Sequence, residues 1–115
     1  MQDGAQDQRN VILAEYEINS LRPVAIVTGV GNPRGMLMDP KGQGHIIRRG
    51  DYIGKGEIIK RPEAEGGDIQ INWRVQKIQG EGKETERGIY LIREDPTTPT
   101  PGQVVKFLPL YPLEK

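Results

Sequence analysis

Glycine and proline divide this sequence into short apolar segments, and that division constrains the fold more than any other feature. The 15 glycines and 9 prolines make up 24 of the 115 residues, well above the roughly 12% of average usage. Most apolar residues between them are Ile, Val and Leu, which favour strands. A chain of this length fits one domain. The pattern therefore predicts a single all-β domain of short strands joined by turns.

The segment DIQINWRVQ has the clearest strand pattern. Apolar and polar residues alternate along it, so that one face carries Ile69, Ile71, Trp73 and Val75 and the other carries Gln70, Asn72, Arg74 and Gln76. Further strand candidates are PVAIVTG, GMLMD, GHIIRR, EIIKR, GIYLIRE and QVVKFLPL. Together they predict a small β-sandwich or partly open barrel of about seven short antiparallel strands, with a polar N-terminal tail.

The start of the chain differs in composition from the rest. Residues 1–15 are interpreted as the remnant of a polar linker and residues 16–115 as the β-domain, with a Pro-rich connector at 95–102 before the C-terminal strand. Val11, Ala14, Ile18 and Leu21 are spaced as in a helix, but an extended segment packed on the sheet also fits them. No run reaches the roughly 18 apolar residues of a membrane span, so direct membrane insertion is not expected. The polar opening suggests a longer precursor with an export signal or anchor.

Residues 39–56, DPKGQGHIIRRGDYIGKG, are interpreted as a turn, a strand and a second turn. Asp39, Pro40 and Gly42 occupy the first, second and fourth positions of a type I turn pattern. Gly50, Asp51 and Gly54 bracket the next short element. The Arg-Gly-Asp tripeptide at 49–51 can be an adhesion motif. Glycine between charged residues is also usual where a turn needs a positive φ, and we favour the turn.

Residues that carry most enzyme chemistry are scarce. The chain has no cysteine and one histidine, His45, so no catalytic residue, metal ligand or cofactor is predicted. Gly29 and Gly31 follow an apolar run, as in a dinucleotide-binding loop, but Pro33 and the short GMLMD segment leave no helix for the phosphate. An enzyme would have to use acidic residues that we place in loops: Glu63, Glu65, Glu81, Glu84, Glu86, Glu94 and Asp95.

The charge balance argues against a nucleic-acid partner. Sixteen basic residues match sixteen acidic ones, which removes the broad attraction that phosphate backbones require. The alternative is a small β-barrel that binds single strands through Arg48, Arg49 and Lys55 beside Tyr52. A stacking platform of Trp73, Tyr52 and Tyr90 would serve it, although the apolar face that carries Trp73 favours a core position.

The order of the segments resembles a known family. LRPVAIVTG, MLMDPKGQGHIIRRGDYIG, GEIIKR, INWRVQKIQ and IYLIRED follow one another as in the PilP family, the inner-membrane lipoproteins of the type IV pilus machine. They are also similar to the homology region of the type II secretion inner-membrane component. The likeness covers residues 16–95. Its most specific part consists of Asp39, Pro40, Gly42, Gly50, Asp51, Ile53 and Gly54.

The resemblance implies a non-catalytic periplasmic β-sandwich that needs no cofactor. In the family, an N-terminal lipid and an extended linker tether the protein to the inner membrane and engage coiled-coil inner-membrane partners. The folded domain binds the periplasmic N-domains of the outer-membrane secretin. The lipid-bearing cysteine is not in this sequence and most of the linker is missing from it, so the contact with the secretin is the one expected of it.

The first hairpin is the expected docking surface. Methionine side chains adapt to a partner, and strand edges and apolar patches are common docking modes. The candidate partner-binding residues are Arg22, Val24, Ile26, Thr28, Met36 and Met38. A core position suits the two methionines equally well.

Overall fold

The computed structural model describes residues 11–29, 31–95 and 102–110, which form eight strands and three short 3-10 helices. The strands are β1 (Val11–Ile12), β2 (Arg22–Val27), β3 (Arg34–Met38), β4 (Gly44–Arg48), β5 (Tyr52–Ile59), β6 (Ile69–Gln79), β7 (Gly88–Asp95) and β8 (Gly102–Pro109). The 3-10 helices are Ile18–Ser20, Glu63–Glu65 and Glu84–Glu86. Among the described residues, no helix is long and apolar enough to span a membrane.

Two sheets make up the fold. One has five strands in the order β1-β5-β6-β7-β8, and the other has three in the order β2-β3-β4. Every strand pair is antiparallel except β1 with β5. The prediction of a small all-β fold is confirmed, and the two sheets form a sandwich-like arrangement rather than a closed barrel. The parallel strand β1 is additional to the predicted set, since two residues are too few to give a pattern.

The core lies between the two sheets. Leu37 and Ile47 contribute to it from the three-stranded sheet, and Val75, Ile89 and Leu91 from the five-stranded one, all without exposed surface. The sheets come close at Gly35, where an added Cβ would lie 3.1 Å from Ile89 Cδ1. Burying such aliphatic side chains contributes roughly 1.5–3 kcal/mol each, and this burial holds the two sheets together.

Strand β6 follows the predicted alternation over part of its length. Ile71, Trp73 and Val75 are buried as predicted. Asn72, assigned to the polar face, is buried as well, and its Nδ2 has no hydrogen-bond partner in the described structure. A register shift between Val75 and Lys77 then brings Ile78 into the core. The shift has the geometry of a β-bulge, which inserts one residue and so moves the buried positions by one.

The predicted turn, strand and second turn are confirmed for residues 39–51. Gly54, predicted to close the next short element, instead lies inside β5, where the register shift between Ile53 and Glu57 takes up its backbone conformation without ending the strand. Between β3 and β4, the Gly42 N–H donates to the Asp39 carbonyl at 2.9 Å. Between β4 and β5, the Asp51 carboxylate accepts a hydrogen bond from the Arg48 backbone N–H at 2.7 Å. Gly42, Gly50 and Gly54 have φ values of +87°, +97° and +82°, which a residue with a Cβ rarely adopts. The Arg-Gly-Asp tripeptide is part of a turn, and its aspartate is used locally.

The segment before β2 differs from the linker predicted for residues 1–15. Val11 and Ile12 pair with Tyr52 and Ile53 of β5, and Leu13 is buried in the core. The chain then turns through the 3-10 helix, so of the two alternatives the extended segment packed on the sheet describes it better. Three consecutive aliphatic side chains favour burial over a solvated linker.

The connector and the tails fall partly outside the described structure. Asp95 ends β7 and Gly102 begins β8, so the predicted connector at 95–102 lies between two paired strands. Its residues 96–101, together with 1–10 and 111–115, lie outside the described residues. The predicted C-terminal strand is confirmed as β8.

Candidate docking surface

The strand register defines an outer face of the three-stranded sheet, turned away from the five-stranded sheet. Residues directly opposite each other in an antiparallel pair point to the same side, and Pro23, Leu37 and Ile47 on the opposite side are buried. The outer face therefore has three rows: Arg22, Met38 and Gly44; Ala25, Met36 and Ile46; Val27, Arg34 and Arg48.

The centre of the outer face is apolar and accessible. Val27 and Ile46 are 54% and 46% exposed. Met36 and Met38, the middle residues of two rows, are half-buried, and Ala25 is exposed. Single exposed apolar residues are ordinary, whereas adjacent ones on one sheet face are typical of a surface that another molecule covers. Arginines stand at both ends of this apolar centre, with Arg22 in the first row and Arg34 and Arg48 in the last.

The six predicted docking residues divide between the two faces of the sheet. In a regular strand, the four candidates on and just after β2 (Arg22, Val24, Ile26 and Thr28) would share a face because they are two residues apart. A register shift between Pro23 and Ala25 leaves Val24 without an opposite residue and reverses the alternation after it. Ile26 therefore packs against the core, and the Thr28 methyl lies 3.0 Å from the Cβ position of Gly80, the residue that follows β6 of the other sheet. The residues that remain on the outer face are Arg22, Met36 and Met38.

Sequence reasoning missed most of the outer face: Ala25, Val27, Arg34, Ile46 and Arg48. One signal could have found Ile46. Ile46 and Ile47 are consecutive residues of one strand. Because successive strand residues point to opposite sides, one of the two isoleucines had to face outward. Arg34 and Arg48 follow by alternation from Met36 and Ile46 on the same strands, whereas Ala25 and Val27 depend on the bulge at Val24, which has no sequence pattern of its own.

Asp39 stabilises the turn between β3 and β4, at one end of the outer face. Its carboxylate accepts hydrogen bonds from the backbone N–H groups of Lys41 and Gln43, at 2.8 and 2.9 Å. Its second oxygen lies 2.9 Å from Nε2 of His45, which is half-buried on β4. An ionised carboxylate only accepts, so His45 carries its proton on Nε2. The Gln43 N–H and then the His45 ring lower the pKa of Asp39 below its ordinary value.

This network predicts an acid-dependent contribution to stability. A carboxyl group whose pKa is lowered by folding stabilises the fold above its unfolded pKa of about 3.9 and loses that contribution as the pH falls through the folded pKa. We expect Asp39→Asn to be less stable than the wild type at pH 7, with the difference shrinking below about pH 4. Urea denaturation of both proteins from pH 7 to pH 2 measures this. A constant difference across that range would contradict the assigned role.

The aromatic residues do not form the stacking platform considered from the sequence. Trp73 is a core residue, 8% exposed, with the Arg93 guanidinium 4.7 Å from its ring centre. Tyr52 lies opposite Arg74 in the register and so faces the other side of the sheet. Tyr90, also on that other side, stacks on Phe107 with ring centres 4.6 Å apart. The core prediction for Trp73 is confirmed.

The charged residues considered for nucleic-acid binding or catalysis do not lie together. Arg48 lies on the outer face, whereas Lys55 on β5 is 3.8 Å from Glu17. Glu63, Glu65, Glu84 and Glu86 are exposed in two 3-10 helices. Glu94 and Asp95 belong to the end of β7 rather than to a loop. Within the described ranges, no three His, Cys, Asp or Glu residues are grouped so that they could hold a metal ion.

A groove of about 530 Å³ opens beside the loop between β2 and β3. Its walls come from that loop and from the end of β6, and they include Thr28, Pro33 and Ile78. Glu81 is the one charged residue among its described lining residues. The groove lacks the converging polar groups of a small-molecule site, so the outer face is the stronger candidate.

No protein-family model matches this sequence, and no curated protein matches it. We therefore infer function from the geometry of the outer face and from the order of the sequence segments.

Proposed function

We propose that this chain is a non-catalytic docking domain of the type IV pilus machine. It links the inner-membrane assembly complex to the periplasmic N-domains of the outer-membrane secretin. In this proposal the full-length protein resides in the periplasm, tethered to the inner membrane by an N-terminal lipid. A linker before the domain engages coiled-coil inner-membrane proteins.

The observation that carries the proposal is the outer face of the three-stranded sheet. Its apolar centre of Ala25, Val27, Met36 and Ile46 is open to solvent, and arginines flank it at both ends. An apolar centre with a polar rim is the usual anatomy of a protein interface, in which arginine and methionine are enriched. Interfaces of less than about 1,200 Å² of total buried area are common in transient complexes, and a sheet of three short strands suits a small interface of this kind.

The order of the family-like segments supports the same proposal. The segments of the resemblance that build the outer face are the strands β2, β3 and β4. The Asp-Pro-x-Gly turn joins the last two of these strands, and the Gly-Asp turn ends the third. The residues of these two turns, Asp39, Pro40, Gly42, Gly50 and Asp51, thus frame the outer face without forming part of it, whereas Ile53 and Gly54 belong to β5 of the other sheet.

Docking through the outer face is favoured over strand addition at the edge of β2. Pro23 has no N–H to offer a new strand, and the bulge at Val24 interrupts the row of backbone groups. Both features are typical of edge strands that are protected from pairing. The outer face itself has no such obstruction.

A second candidate function, binding of single-stranded nucleic acid, has one observation in its favour. Lys77 Nζ lies 5.0 Å from the ring centre of Tyr90, which in turn stacks on Phe107. Aromatic side chains beside a cation can stack bases. The rest of the chain lacks a basic surplus, so we rank this function second. A steep loss of affinity with rising salt would mark it.

The proposal predicts that Ile46→Asp weakens docking without unfolding the domain. A carboxylate at this position would replace an apolar contact and lose its hydration in the interface, which we expect to lower the affinity for the secretin N-domains by at least about tenfold, or about 1.4 kcal/mol. Isothermal titration calorimetry of both proteins against the isolated N-domains measures the change. Because Ile46 is solvent-exposed, the melting temperature should stay near that of the wild type.

Ile58→Asp is the matched control. Ile58 is 52% exposed and lies on β5 of the other sheet, so the substitution adds the same charge at a site of similar exposure. We expect its affinity to equal that of the wild type. Equal losses in the two variants would mean that the negative charge, and not the outer face, determines binding.

A further inference from the structure

Two arginines stand directly opposite each other at one end of the outer face. Arg34 of β3 and Arg48 of β4 are Cα partners in the register, and both are exposed. Opposite side chains of an antiparallel pair have Cβ atoms about 4.5–5.5 Å apart, and like charges there destabilise the sheet. The fold thus holds two positive charges together at a position where its own stability does not benefit.

Neither guanidinium is neutralised by the described part of the chain. Ion pairs form elsewhere, such as Arg93 with Glu57 at 2.9 Å and Lys60 with Asp68 at 3.6 Å. Among the described residues no ion pair involves Arg34 or Arg48. Asp51 is the acidic residue nearest to Arg48 in sequence. Its carboxylate accepts a hydrogen bond from the backbone N–H of Arg48 and not from the side chain.

We propose that Arg34 and Arg48 together bind a carboxylate of the docking partner, so that the partner presents an acidic side chain beside an apolar one. This inference rests on the proposed docking function and names the chemistry of its partner. A guanidinium offers paired N–H donors that match the two oxygens of a carboxylate. A partner carboxylate placed between the two arginines would offset their repulsion and accept hydrogen bonds from both guanidinium groups.

The surroundings favour a protein carboxylate over a phosphate group. Val27 completes the row of the two arginines, and Ile46 lies two residues from Arg48 on the same face. These exposed aliphatic side chains match an apolar residue of a protein segment and offer no ring on which a base could stack. The balanced charge of the chain also lacks the surplus that nucleic acid or an anionic membrane requires.

The test compares the wild type with the double variant Arg34→Gln and Arg48→Gln. By calorimetry against the isolated secretin N-domains at 50 mM salt, we expect the double variant to lose at least about tenfold in affinity. We also expect the wild type to weaken between 50 and 300 mM salt and the double variant to change little. Wild-type affinity in the double variant, with the same salt dependence, would overturn the inference while leaving the docking function intact.

The control removes the same net charge from the other sheet. Lys55→Gln with Lys60→Gln changes two exposed side chains, 60% and 84% accessible, on and beside β5. We expect it to bind as the wild type does. An equal loss in both double variants would show that net charge alone steers the partner, which overturns the assignment to Arg34 and Arg48.

A second readout does not depend on the proposed function. If the wild type fails to bind the secretin N-domains, the docking function fails, and the arginine site is tested with hexaglutamate. NMR of the arginine Nε–H groups should then show shifts at Arg34 and Arg48, and none with hexalysine. No shifts, or larger shifts with a hexathymidylate, would overturn a carboxylate site.

Sedimentation of the wild type tests a further alternative. Self-association through the outer face would also overturn the assignment of Arg34 and Arg48 to a partner carboxylate.

Thermal stability separates recognition from a structural role. Because the two charges repel, the double variant Arg34→Gln and Arg48→Gln should melt at the same temperature as the wild type or higher. A clearly lower melting temperature would mean that the arginines stabilise the sheet itself, and would overturn the inference.

Discussion

Replacing Leu37 with alanine is expected to lower the free energy of unfolding by about 3 kcal/mol. Leu37 has no exposed surface and lies in the core, with Pro23 opposite it on β2 and His45 opposite it on β4. Removing its branched end leaves a cavity between two sheets that are held by strand pairing on either side and so collapse little. A loss of this size is a large part of the 5–15 kcal/mol typical of a small domain. Urea denaturation at pH 7 measures it.

Met36→Ala is the matched control for Leu37→Ala. Met36 is the preceding residue of the same strand, but it is half-buried on the outer face. Its truncation should cost about 1 kcal/mol or less because little of its surface leaves an apolar environment. A larger loss at Met36 than at Leu37 would mean that the two faces of the sheet have been assigned the wrong way round. It would also restore the core alternative for the methionines.

The second large effect is expected at Gly88, the first residue of β7. Gly88 is paired on both sides, with Gln79 of β6 and Pro109 of β8. A Cβ added there would overlap the carbonyl oxygen of Leu108 and lie 2.7 Å from the Phe107 ring, and φ is +156°. Strand β8 would have to shift, since backbone cannot move aside as a flexible side chain does. We expect Gly88→Ala to destabilise the fold by about 3 kcal/mol.

Gly42→Ala separates the two causes of the Gly88 effect. Gly42 has φ of +87°, and no atom lies within 4 Å of an added Cβ. Alanine there should cost about 1 kcal/mol, the strain of a left-handed conformation without a clash. Urea denaturation of both variants gives the comparison. Equal losses at the two positions would contradict the close contact between β7 and β8.

The turns and the buried strands could be predicted from the sequence because each depends on local chemistry. Asp39, Pro40 and Gly42 specify a turn through side-chain size and backbone freedom alone. The alternation of Ile71, Trp73 and Val75 specifies one buried face, and the structure confirms both. The all-β class could be predicted from the same turn residues and the same alternation of apolar and polar residues.

The features that escaped prediction depend on contacts between distant segments. The bulges near Val24 and Val75 each insert one residue that has no opposite partner, and each moves the buried positions by one residue. The parallel strand β1 exists because Val11 and Ile12 meet β5, which is 41 residues further along at Tyr52. Neither kind of contact leaves a pattern within one segment.

The predicted docking residues and the outer face coincide only at the level of the hairpin. The first hairpin does form part of the outer face, but the bulge turns Ile26 toward the core and brings Ala25 and Val27 outward. The opposition of Arg34 and Arg48 depends on the register of β3 against β4, which the Asp39 turn fixes. A surface of this kind is a property of register, and register is decided by three-dimensional packing.

The most direct test of the docking function is an NMR shift map of the isotope-labelled domain, titrated with the isolated periplasmic N-domains of the secretin. The proposed function predicts saturable shifts confined to β2, β3 and β4 and centred on Val27, Met36 and Ile46. Shifts centred on Tyr90 and Phe107 of the other sheet would contradict docking through the outer face. No shifts at high micromolar concentrations of the N-domains would contradict the docking function itself.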